Sequence, residues 1–101
     1  QSAQDLRLPD VSSLSQNCPN PFGRTTSISY AVAVPGQVEL TVYDVTGRMV
    51  KRLVGKPHEP GRYITTWDGR DSSQQPVTPG VYFYRLRASD FSATRKMLVL
   101  Q

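Results

Sequence analysis

Six short strand-like runs, at 26–30, 38–43, 49–54, 62–67, 81–86 and 94–99, are parted by turn-forming residues, and apolar and polar positions alternate most clearly in 38–43. In a strand successive side chains point to opposite faces. Short strands at this spacing, bounded by Gly, Pro, Asn and Asp, predict an all-β chain folded as a small antiparallel sandwich of about seven strands. In run 38–43, Val38, Leu40 and Val42 take one face and Glu39, Thr41 and Tyr43 the other, the pattern of a half-buried strand. Charge sets the choice in the next case: Arg85 and Arg87 require water, so Tyr82, Tyr84 and Leu86 are assigned to the core. The same rule sends Met97 and Val99 inward and Lys96 outward. Trp67 shares a face with Thr65 and Tyr63 and is the largest core contribution expected. No segment carries the 3.6-residue apolar period of a helix, and there is no internal repeat.

The connections add specific local chemistry. Pro35-Gly36 reads as a tight turn, Pro fixing one dihedral and Gly supplying the left-handed one. In Asp44-Val45-Thr46-Gly47 the Asp carboxylate is placed to accept backbone N–H groups and Gly47 to take a positive φ, a hairpin signal. Loop 68–80 is the longest connection. Its Asp68 and Asp71 raise the question of calcium, but the loop pattern for that ion needs a denser ladder of oxygens, and Arg70 and Gln74 stand where ligands belong. The expectation is a brace, with each carboxylate accepting backbone N–H groups and pairing with Arg70.

The chain has 101 residues, 38% of them hydrophobic, enough for one core. Residues 1–13 lack a sustained apolar period and read as a flexible linker, with the sandwich occupying 14–101. The first residue is Gln1 rather than Met, so the chain is read as a piece of something longer. No run approaches about 18 apolar residues, so no membrane span is expected.

Candidate chemistry is sparse. Cys18 is the only cysteine and lacks a His or carboxylate partner in sequence, so it is read as an inert packing cysteine. His58 is the only histidine, placed in a proline-bracketed loop at 56–60, too isolated for a metal site or a general base. The net charge is +4, but the basic residues are scattered without stacking aromatics or a recognition helix, so a solvated basic surface is expected and no nucleic acid. With no nucleophile beside a base and no pair of carboxylates placed for acid and base work, the expectation is no catalytic residue, no metal, no cofactor and no enzyme.

Six ordered blocks carry a family likeness. They are Asn17-Cys18-Pro19-Asn20-Pro21-Phe22, Thr25-Thr26-Ser27-Ile28-Ser29-Tyr30, Val42-Tyr43-Asp44-Val45-Thr46-Gly47-Arg48, Thr66-Trp67-Asp68-Gly69-Arg70-Asp71, Pro79-Gly80-Val81-Tyr82-Phe83-Tyr84-Arg85-Leu86 and Thr94-Arg95-Lys96-Met97. In this order they resemble the C-terminal sorting domains of the type IX secretion system, and are similar to the immunoglobulin-like domain of the flagellar hook-capping protein. The chain departs from the pattern at Cys18, where an aromatic is common, and at Gly23-Arg24.

The resemblance implies an immunoglobulin-like sandwich that acts as a sorting signal at the end of a secreted or cell-surface protein of Bacteroidetes-type bacteria, exported via the periplasm. It implies as partners the outer-membrane secretion machinery, a sortase-like peptidase and a fused upstream cargo domain. Carried over by position, the recognition surface falls on the final hairpin, at Gly80, Tyr82, Arg95 and Lys96. Asp44, Gly47, Asp68 and Asp71 take structural roles in the turns. Strand edges carry unpaired backbone groups, so docking by strand addition at the last strand is the expected mode. Two other readings are a carbohydrate-binding sandwich, which needs a planar row of aromatics such as Tyr43, Phe83 and Phe91, and a spacer or adhesive module.

Overall fold

A computed structural model describes residues 8–89 and 91–100. Among them are seven strands: β1 (Ser13–Leu14), β2 (Thr26–Val32), β3 (Gly36–Tyr43), β4 (Met49–His58), β5 (Gly61–Trp67), β6 (Gly80–Ala88) and β7 (Phe91–Val99). They form two antiparallel sheets, one of order β1-β2-β5 and one of order β4-β3-β6-β7.

The alternation in the sequence decides which faces meet. Val38, Leu40 and Val42 of β3 and Tyr84 and Leu86 of β6 are 0% exposed, and from the other sheet Ile28 and Val32 are equally closed. Met97 and Val99 of β7 also lie inside, and Trp67 is the largest fully buried side chain. Apolar burial of this kind is the main favourable term in folding, at roughly 25 cal/mol per Å² removed from water.

Four features depart from the reading of the sequence, the simplest being that Cys18, read as a packing residue, is exposed. Strand β1 lies outside the six runs because two residues are too few to show a period. Its pairing is Ser13 with Ala31 and Leu14 with Tyr30. Just before it, Ala33 N–H donates to Ser12 Oγ at 3.0 Å, so the end of the segment read as a linker is tied to the sheet; residues 1–7 lie outside the described residues. Strand β4 runs on through Pro57 to His58, which corrects the loop expected at 56–60. Pro57 is tolerated there because β4 is an edge strand, and His58 is buried. Thr41, assigned to the wet face of β3, is 5% exposed. It sits between Arg52 on β4 and Arg85 on β6, whose long apolar stems can cover it.

Candidate functional site

Strands β6 and β7 form the final hairpin, with Gly80 opposite Val99, Tyr82 opposite Met97, Phe83 opposite Lys96 and Tyr84 opposite Arg95. Alternation separates the four residues that the sequence grouped together. Tyr82 faces the core at 6% exposure, and its hydroxyl donates to the Thr78 carbonyl at 2.7 Å, so it anchors the end of loop 68–79. Gly80 opens β6 at φ +143°, a conformation that other L-residues rarely adopt. Arg95 stands at the rim between the sheets, where its Nε donates to the Leu14 carbonyl at 2.7 Å. Lys96 alone projects from the outer face of the four-stranded sheet.

The neighbours of Lys96 on that face are Phe83 beside it and the pair Val81 and Leu98, which are 38% and 37% exposed. These apolar side chains at outward positions were missed as site residues. Their signal was in the sequence: once Tyr82 and Met97 are assigned inward, Val81, Phe83 and Leu98 must point out. Tyr43 pairs directly with Phe83 across β3 and β6. The Arg85 guanidinium lies 5.1 Å from the Tyr43 ring centroid and donates from Nη2 to its hydroxyl at 2.9 Å. Phe91, in contrast, lies on the inner side opposite Ala88 and packs against the core, so Tyr43, Phe83 and Phe91 do not form one row.

The segment between β1 and β2 crosses from one sheet to the other and covers part of β7. Phe22 N–H donates to the Leu98 carbonyl at 3.1 Å, and Leu100 N–H donates back to Phe22 at 2.9 Å. Asn20 Oδ1 accepts from Leu98 N–H at 2.9 Å, and Gln16 Nε2 donates to the Lys96 carbonyl at 2.8 Å. The Phe22 ring is buried 5.6 Å from Trp67, which fixes the crossing to the core. Buried Asn17 braces it from within, donating to Thr26 Oγ1 at 3.0 Å and to the Pro19 carbonyl at 3.2 Å. The edge expected to be open for strand addition is therefore occupied over 96–100. Among the described residues, only the outward backbone groups of Ser92 and Thr94 and the Lys96 N–H lack such cover.

The turn residues act through backbone contacts. Asp44 Oδ1 accepts from the Thr46 hydroxyl at 2.6 Å, Thr46 N–H at 2.9 Å and Arg48 N–H at 3.0 Å, while Gly47 takes φ +86°. Asp71 Oδ1 accepts from Ser73 and Gln75 N–H at 2.9 and 3.0 Å, and Asp68 Oδ1 from Arg70 N–H at 3.1 Å. Arg70 donates from Nη1 to the Gln74 carbonyl at 2.9 Å instead of to either aspartate.

The Thr46 hydroxyl and then the Arg48 N–H hold the Asp44 carboxyl below its usual range. A depressed folded-state pKa contributes stability that is present above the unfolded value and is lost as pH falls through the folded one. The difference in melting temperature between wild type and Asp44→Asn is expected to be constant at neutral pH and to shrink between about pH 5 and pH 2. A difference that stays constant across this window contradicts the bracing role.

These features define an immunoglobulin-like sandwich with an N-terminal crossing segment laced to its last strand. The FlgD Ig-like domain family matches residues 20–91, and the chain belongs to that family. No curated protein matches the sequence. Among solved structures, the dimeric latent PorU from Porphyromonas gingivalis superposes with a TM-score of 0.70 at 20% identity, over 89% of this chain and 9% of PorU. PorZ of the same organism, described as an essential bacterial surface component of the type-IX secretion system, gives 0.58 at 20% identity over 99% of this chain and 12% of PorZ. FlgD from P. aeruginosa gives 0.57 at 26% identity over 75% of this chain and 64% of FlgD. The chain thus spans about a tenth of PorU and PorZ and less than two thirds of that FlgD. No helix among the described residues is long and apolar enough to cross a membrane.

Proposed function

We propose that this domain is a non-catalytic C-terminal sorting module of type IX secretion, recognised by outer-membrane machinery on a fused cargo protein that leaves through the periplasm for the cell surface or the medium. A sortase-like peptidase is a further partner in this reading. The observation that carries it is the likeness over 99% of the chain to PorZ, a type-IX surface component, within the fold of a family to which the chain belongs. The ordered sequence blocks point the same way.

The side chains support a tag more than a catalyst. His58 bonds to Tyr30, Asp44 and Asp71 are spent on backbone groups, and the outer face of the final hairpin offers apolar surface beside a cation. In this reading the machinery touches Lys96, Val81, Phe83 and Leu98, while Gly80, Tyr82 and Arg95 shape the hairpin that presents them.

The test fuses the full chain to a reporter and replaces two outward residues together, Lys96→Glu and Leu98→Asp, with circular dichroism confirming that the domain still folds. Export is expected to fall at least severalfold. Unchanged export of the folded variant removes this face from the recognition surface and favours the spacer reading.

A further inference from the structure

Among the described residues, every sheet edge but that of β5 is short, interrupted or partly covered. Strand β7 is covered over 96–100 by Asn20, Phe22 and Gln16, which leaves it open only from Ser92 to the Lys96 N–H, and β1 has two residues. Strand β4 contains Pro57 and two register shifts, and Ser72 N–H and Oγ both donate to its Val50 carbonyl. Short edges, prolines, bulges, charged side chains and covering segments are the recognised ways to blunt an edge. Among the described residues, strand β5 has only one of these, the charge of Arg62 near its start. Its seven residues, Gly61–Trp67, pair in unbroken register with β2 and, among the described residues, with no other strand.

The register fixes which of its groups are unpaired. On β2, Ser27 and Ser29 bond backwards, to Cys18 and Ser15, so Ile28, Tyr30 and Val32 bond towards β5, where they face Thr65, Tyr63 and Gly61. In an antiparallel pair the N–H and C=O of one residue point the same way. The backbone groups of Arg62, Ile64 and Thr66 therefore point away from the sheet, and no hydrogen bond among the described residues takes them. Beside this edge, towards β4, lies a groove of about 570 Å³ lined by Leu53, Val54, His58, Tyr63, Ile64 and Thr65 among others. Ile64 is 68% exposed, and Leu53 and Val54 are only partly covered where the two sheets part.

We infer that β5 is a docking edge for an extended peptide segment of another protein, one that alternates apolar and acidic side chains. Strand addition would use the unpaired groups of Arg62, Ile64 and Thr66, and would lay every second side chain over Leu53 and Val54. The charge around the edge selects the acidic partner. Lys56 lines the groove and Arg62 stands on the strand itself, while the Arg52 arm runs along Gly55, whose ideal Cβ would lie 2.8 Å from Arg52 Cδ. Glu59 is the one acid among the lining residues. A second copy of this chain is the wrong occupant, because it would bring a basic edge of a molecule with net charge +4 against the same cations. This edge is on the opposite side of the sandwich from β7, and the inference does not depend on the sorting role.

The probes are a labelled six-residue peptide alternating Val and Glu and its Val–Lys counterpart, offered to the full chain. The Val–Glu peptide is expected to bind and to slow amide exchange at Arg62, Ile64 and Thr66, with the Val–Lys peptide about tenfold weaker. Ile64→Pro removes an outward donor and should abolish binding. The double change Lys56→Glu with Arg62→Glu, which leaves the backbone untouched, should invert the preference between the peptides. Equal binding of both peptides, protection at β7 or β4 instead, self-association through β5 in sedimentation, or no binding at millimolar peptide each overturns the inference.

Discussion

Replacing Trp67 with Ala is expected to destabilise the domain by about 3–5 kcal/mol, out of the roughly 5–15 kcal/mol that a typical domain has in total. Three losses coincide at this site. The indole is 1% exposed, so its removal opens a cavity between the sheets. Its ring meets Phe22 at 5.6 Å and Tyr82 at 6.0 Å, and so joins the crossing segment to the final hairpin. Its Nε1 donates to the Arg70 carbonyl at 2.9 Å, which fixes the start of loop 68–79. Urea unfolding should show a lower midpoint with an unchanged slope, the mark of lost stability without a change in the surface exposed. Ile64→Ala on the same strand, at a position 68% exposed, should move stability by no more than about 0.5 kcal/mol. A cost below about 1 kcal/mol for Trp67→Ala contradicts the packing described here.

What the sequence disclosed and what it withheld divide along a physical line. Inside and outside follow from alternation plus charge, both local, so Val38, Leu40, Val42, Tyr84, Met97 and Val99 were legible in advance. Neighbour relations between strands are not local. Thr41 is buried because β3 is flanked by β4 and β6, each bringing an arginine alongside, and nothing in run 38–43 reports that. His58 is buried because β4 continues past Pro57 to meet Tyr30, whose hydroxyl lies 2.9 Å from His58 Nε2, and Tyr63, whose ring centroid lies 4.3 Å away. The cover on β7 comes from Asn20 and Phe22, more than 70 residues earlier in the chain. The turn at Asp44 and Gly47 was legible because its partners lie within four residues.

The same line runs through the candidate site. The final hairpin was located from its sequence blocks, but those blocks mix faces, so they grouped the buried Tyr82 with the exposed Lys96. The residues that share a surface with Lys96 are cross-strand and diagonal neighbours, and register alone identifies them as Phe83, Val81 and Leu98. Likewise the open edge of β5 emerges only when the sheet order is known, because an edge is defined by the strand that is missing beside it.

The central claim is that the domain serves as an address recognised by secretion machinery. A reporter fused to the full chain, expressed in a bacterium with type IX secretion and in an isogenic strain lacking its outer-membrane translocon, tests that claim directly. The fraction of reporter outside the cell is to be measured in both strains, with a reporter lacking the domain as baseline. The account predicts that the fused reporter is found outside only in the competent strain and accumulates in the periplasm of the other, an effect close to all-or-none. Equal export from the two strains, or retention in both with the domain folded, contradicts it.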